Sequence, residues 1–130
     1  MSVTHPTPMR NTIADTVVDA LDVGGPGKLK FRLAGTAGSP GTAVATLTLS
    51  ATAFGAASGG TATANAITSD TSAAGNASPV ATATLETAGG TVCVHCAVAA
   101  SGSDINMSGG LVVGAGDTVS CSSLTYSAPA

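Results

Sequence analysis

The densest group of reactive side chains in this chain is Cys93-Val94-His95-Cys96, with a third cysteine at Cys121. Three thiols and an imidazole are the donor set of a structural zinc site, which needs four ligands converging on one point. The local pattern opposes convergence. The segment reads as a strand, so Cys93 and His95 point to one face and Cys96 to the other, and no second Cys-x-x-Cys pair exists. No metal is assigned. A redox dithiol uses a helix N-terminus to lower the pKa of its attacking thiol, and no helical pattern follows Cys96. Two readings stay open. The thiols are buried and free, behaving as small hydrophobes, or they form disulfides. Three is an odd number, so at least one of Cys93, Cys96 and Cys121 has no partner within the chain, and a bond between subunits would use it.

Other chemistry is thinner. His5 sits in the N-terminal stretch, and His95 has no carboxylate near it in sequence. The serines lie in no Gly-x-Ser-x-Gly setting, and the glycines follow no phosphate-cradling spacing. Asp70, Glu86, Asp104 and Asp117 are scattered and are expected to cap turns, where a short carboxylate bonds local backbone. The loop Gly102–Asn106 is polar, but calcium takes six to eight oxygens and too few carboxylates are near. No catalytic residue and no cofactor are assigned, and an enzyme is the least supported class.

Composition points to assembly instead. Ala (25), Thr (19), Gly (17) and Ser (14) make up 75 of the 130 residues, and only 8% are charged. An ordinary domain is about a quarter charged. A surface this uncharged is hard to keep monodisperse, which makes sense if other subunits cover it. The four basic residues, Arg10, Lys28, Lys30 and Arg32, lie in the N-terminal quarter with Asp15, Asp19 and Asp22 among them. That is too few cations to neutralise a run of phosphates, so no nucleic-acid partner is expected, whereas an acidic protein neighbour suits the basic stretch. No segment approaches the ~18 apolar residues of a membrane-spanning helix. The opening MSVTHPTPMR has no apolar run of signal-peptide length, so synthesis in a cytoplasm is expected and no membrane partner.

The elements that would position these residues follow from periodicity. Residues 1–10 read as an extended arm, because Pro6 and Pro8 disfavour helix. Residues 11–23 form the one helix candidate, capped by Asn11. Asp15 suits its positive end, Ile13, Val17, Ala20 and Leu21 make its apolar stripe, and Gly24-Gly25-Pro26 stops it. Lys28–Leu33 alternates strictly, with Leu29, Phe31 and Leu33 inward and the three basic residues outward. Further strands are predicted over 45–49, from Gly59-Gly60 to about Ile67, over 79–87 and 91–100 with a Gly89-Gly90 hairpin, and over 118–126, with Leu111–Val113 as a short extra strand. Loops fall at 35–41 and 69–78. The sum is one domain, mainly β: an antiparallel β-sandwich or jelly-roll-like barrel of seven to eight strands. It divides into an arm and helix over 1–24 and a β-domain over 25–130.

In their order, these segments resemble a group of small structural proteins encoded by tailed bacteriophages. RNTIADTVVDALD leads through a glycine turn into GKLKFRL. A Ser-Pro loop, ATLTLS and AFGAASGGTATANAITSD follow, and the chain closes with GSDINM, AGDTVS and SLTYS. The layout spans most of residues 10–127, and its most specific part is the AFG…TANAITSD stretch. The chain departs from that pattern in lacking aromatic and Arg residues over 79–88, in lacking a tyrosine after the first strand, and in carrying three cysteines. The resemblance implies a virion component. The expected role is a capsid decoration (cement) protein that bridges major capsid protein subunits and copies of itself. Pro6, Pro8, Arg10, Ile13, Val17 and Leu21 would be its docking element. A tail, neck or collar component is the alternative, and a carbohydrate-binding module on a fibre comes third because such sites use aromatic platforms that this chain lacks.

Overall fold

Alternation of Leu29 and Phe31 with Lys28, Lys30 and Arg32 makes a strand that buries one face, and the fold is built outward from it. The computed structural model describes residues 3–129. In chain order the elements are helix α1 (Thr7–Asp19), a 3-10 turn (Ala20–Asp22), β1 (Lys28–Arg32), β2 (Ala43–Thr48), β3 (Thr61–Thr63), β4 (Thr82–Glu86), β5 (Val92–Ala99), β6 (Ile105–Asn106) and β7 (Thr125–Ser127). Five strands form one sheet in the order β2-β1-β4-β5-β6, and β3 pairs with β7 in a second. The two sheets curl into a half-barrel. Pairing is antiparallel except between β5 and β6, which run parallel.

One apolar cluster ties all of this together. Leu29 and Phe31 of β1, Val44 and Leu47 of β2, Ala83 and Leu85 of β4 and Val98 of β5 meet Val18 and Leu21 from the helical segment, with Phe54, Ala62, Val113 and Val119. Each large aliphatic side chain taken fully from water contributes about 1.5–3 kcal/mol, and Leu21, Leu29 and Leu47 are completely buried. The helix therefore belongs to the same core as the sheets. β4 is the middle strand, and all five of its residues are buried.

The helix begins four residues earlier than its sequence pattern predicts. Pro8 lies in its first turn and Pro6 stands outside as the extended cap. A proline there costs nothing, because first-turn N–H groups have no intrahelical acceptor and the fixed φ suits the helix. Asn11 is consequently inside α1 and free for another task. The core stripe is Ala14, Val18 and Leu21, one position on from the predicted Ile13 and Val17, which lie half-buried on the flank. Leu111–Val113 is not a strand. It carries single bonds to Val80 and Asn76 instead, and the extra strand is Ile105–Asn106. The predicted 118–126 strand shrinks to β7 plus an isolated bridge between Asp70 and Val119.

Polar side chains of α1 and of the 3-10 turn after it hold down the glycine- and alanine-rich segment 53–60. Asn11 Oδ1 accepts from the Gly60 N–H at 2.7 Å, Asp15 Oδ1 from Ala57 at 2.7 Å, and Asp22 Oδ1 from Ala53 at 2.9 Å. These bonds satisfy backbone donors that no strand reaches. Gly60 sits at φ +81°, and a Cβ there would lie 2.7 Å from the Arg10 guanidinium carbon. Only glycine allows both the left-handed backbone and that approach. Arg10 in turn donates from Nη2 to the Ala128 carbonyl at 3.3 Å, which fastens α1 to the residue following β7.

Candidate functional site

The cysteine-histidine group lies on β5 and does not converge. The β4–β5 register pairs Ala83 with Cys96 and Thr84 with His95, and it shifts between Leu85 and Glu86 so that Cys93 stands at a bulge. His95 and Cys96, being successive strand residues, take opposite faces. All three cysteines are free thiols, half-buried. Cys96 Sγ lies 3.6 Å from the Ala83 carbonyl. Burial, with the charge of Asp104 adding to it, pushes its pKa up to about 11. Burial also raises Cys93, with Glu86 adding, and raises Cys121. Cys121 lies outside the strands, with its Sγ 3.3 Å from the Ser123 carbonyl. His95 Nε2 is buried without a hydrogen-bond partner. Among the described residues no three His, Cys, Asp or Glu side chains come together as metal ligands.

The strongest electrostatic feature is on the face of the large sheet that His95 shares, opposite the core-facing Cys96. Lys28, Lys30 and Arg32 alternate along β1, and across the ladder they face Glu86, Thr84 and Thr82 of β4. Glu86 is almost completely buried. Its Oε2 takes Arg32 Nη2 at 2.5 Å and the Thr84 hydroxyl at 2.5 Å, and its Oε1 lies 3.3 Å from Lys30 Nζ. Arg32 also donates to the Thr84 hydroxyl and to the Gly41 carbonyl. Burial works to raise the Glu86 pKa, but the Thr84 and Arg32 hydrogen bonds and the charges of Lys30 and Arg32 outweigh it. The carboxyl is held below its ordinary value.

This network corrects the expectation that Glu86 caps a turn. Of the other three carboxylates, Asp70 and Asp117 bond turn or loop backbone, accepting from Ser72 and Gly114, and Asp70 also accepts from Thr46 of β2, whereas Asp104 accepts from Ala97 within β5. Glu86 differs because it is the last residue of a central strand. The signal was present in the alternation of 79–87, which puts Glu86 in line with Thr82 and Thr84, but pairing it with β1 needed the strand order. The face as a whole is basic, with three cations against one carboxylate.

The residues expected to dock a partner divide by position. Leu21 is wholly buried in the core, and Arg10 is turned onto its own chain. Pro6 and Pro8 are exposed, while Ile13 and Val17 remain half-exposed. Met9, four residues before Ile13, is 48% exposed. At i, i+4 and i+8, Met9, Ile13 and Val17 form a second apolar stripe beside the core-facing one. Val23, just past the 3-10 turn, is 66% exposed.

A groove of about 610 Å³ opens between residues 104–113 and 117–125. Buried Phe31, Val113 and Val119 line it, with Asp104, Asp117 and several serines at its rim. No described helix is long and apolar enough to cross a membrane. Comparison with protein-family models, with curated proteins and with solved structures gives no match.

Proposed function

We propose that this chain is a structural assembly protein, of the kind that decorates a bacteriophage capsid and braces its major capsid protein subunits. The observation that supports this reading best is the doubled apolar stripe on α1. Ala14, Val18 and Leu21 fill the core, yet Met9, Ile13 and Val17 alongside them stay partly open. An apolar row that its own chain leaves uncovered is characteristic of a surface that meets another molecule. The basic sheet face adds a second contact of defined sign, suited to an acidic neighbour. The proposed partners are the capsid protein and further copies of this chain. The role is mechanical, non-catalytic and in need of no cofactor, and its place is the virion.

Gel densitometry of purified particles tests the placement. A band near-stoichiometric with the capsid protein supports decoration. A band at a small fraction of that signal supports a tail, neck or collar position, and absence from the particle refutes both. Ile13→Asp with Val17→Asp should abolish incorporation while leaving the far-ultraviolet spectrum unchanged, because both side chains lie outside the core stripe.

A further inference from the structure

The half-barrel is open along one line. β6 is the last strand of the large sheet and β7 is an outer strand of the small one. The groove runs between the β6 segment and the segment leading into β7. Its depth reaches the core, since Phe31 on the inner face of β1 is among its lining residues. Its walls carry backbone that is not yet spent. Among the described residues, the backbone of 120–124 makes one bond to other backbone, from the Ala64 N–H to the Leu124 carbonyl. Backbone groups left without partners at a strand edge are a template for another strand.

An extended segment of matching character is at hand. Val3, Thr4, His5 and Pro6 precede α1, and all four are exposed, Val3 to 80%. Apart from the Pro6 carbonyl, which accepts from Met9 and Arg10, they make no hydrogen bond to the described chain. Charge favours the match. Val3–Pro6 contains no carboxylate and includes His5, whereas the groove carries Asp104 and Asp117, each with one oxygen left over after its backbone bond.

We infer that the groove receives the Val3–Pro6 arm of a second copy of this chain as an added strand, with Val3 entering the apolar floor and His5 meeting the rim carboxylates. Strand addition of this kind takes affinity from main-chain bonds and selectivity from alternate side chains. The arm leaves one protomer and enters the next, so the contact is head-to-tail. It propagates into chains or closes into rings.

The test uses two full-length variants followed by analytical ultracentrifugation over a concentration series. Val3→Asp spoils the arm of a protomer and leaves its groove intact. Ser122→Trp fills the groove, at an exposed rim position, and leaves the arm intact. Neither residue is part of the core, and thermal unfolding of each variant checks that the fold persists. Wild type should self-associate, and each variant alone should weaken association by about tenfold or more, as loss of a central apolar anchor does. An equimolar mixture should recover one good junction and stop at a heterodimer. Wild-type monomer at every concentration would overturn the inference. So would variants that assemble like wild type, or a mixture that stays monomeric.

Discussion

Glu86→Ala removes the one carboxylate that touches Lys30 and Arg32 among the described residues and leaves their charges facing a dehydrated sheet. Breaking a buried ion pair by deleting one partner costs about 3–5 kcal/mol. Arg32 is 13% exposed and must stay, but Lys30 is 27% exposed and can turn its ammonium to water. The lower end of that range, about 3 kcal/mol, is therefore expected. With 130 residues, an unfolding entropy of ~2.1 cal/mol/K per residue converts this to a fall in Tm of about 11 °C. Glu86→Gln keeps the shape and one acceptor, so its cost should be about half as large. The pH dependence separates charge from shape. The folded pKa of Glu86 lies below its ordinary value of 4.5. Its contribution is thus fully present above that value and is lost as pH falls through the folded pKa. Urea unfolding measured from about pH 7 down to about pH 3 should show wild type losing more stability than Glu86→Gln across the acid limb. A Glu86→Ala cost below about 1 kcal/mol, the level of an exposed pair, would refute the reasoning. Parallel pH profiles for wild type and Glu86→Gln would do the same.

The two stripes of α1 should separate in a denaturation assay: Leu21→Ala costs about 2–5 kcal/mol, whereas Ile13→Ala stays nearer 1 kcal/mol. Gly60→Ala should destabilise by about 1–2 kcal/mol from its left-handed backbone alone, with a further steric part that vanishes when Arg10→Ala is combined with it. A double-mutant cycle reads that coupling, and strict additivity would deny the contact. Toward a disulfide reagent at neutral pH, all three thiols should react more slowly than a free cysteine, with Cys96 the slowest because its pKa is about 11 and the thiolate is the reacting form. Single-cysteine variants assign the phases, and a Cys96 that reacts first would contradict its placement.

Much of the β-architecture was legible because two-residue periodicity is a local property. Lys28–Leu33 alternates so strictly that its inner face could be named from the chain alone, and the Gly89-Gly90 hairpin follows from two strand patterns flanking a flexible turn. The errors arose where local preference met tertiary demand. Pro8 reads as a helix breaker until the helix start is known, and then it is a favourable first-turn residue. Ile13 and Val17 fit an apolar stripe as well as Ala14 and Val18 do. Periodicity alone cannot rank two adjacent stripes, and the choice is made by what packs opposite, here β3 with β7. Ile105–Asn106 is too short to show any period. It is a strand only because Val98 and Ala99 of β5 offer it an edge.

The surfaces that matter were harder to see for a related reason. A chain with so few charges reads as having no electrostatic design, yet the charges it has are concentrated. Three of its four basic residues share one strand face, and the single glutamate is buried among them. The helix and its 3-10 turn show the same economy: Asn11, Asp15 and Asp22 each take one backbone N–H of residues 53–60. Several of the few carboxylate and amide side chains are thus spent on backbone that small residues leave unpaired. What remains outside is Ala, Ser, Thr and Gly, together with one open groove, one exposed arm and one half-covered stripe. The arm and the stripe follow from the prolines and the helical period near the N-terminus, whereas the groove became visible only once the strand order fixed which edges were left without a neighbour.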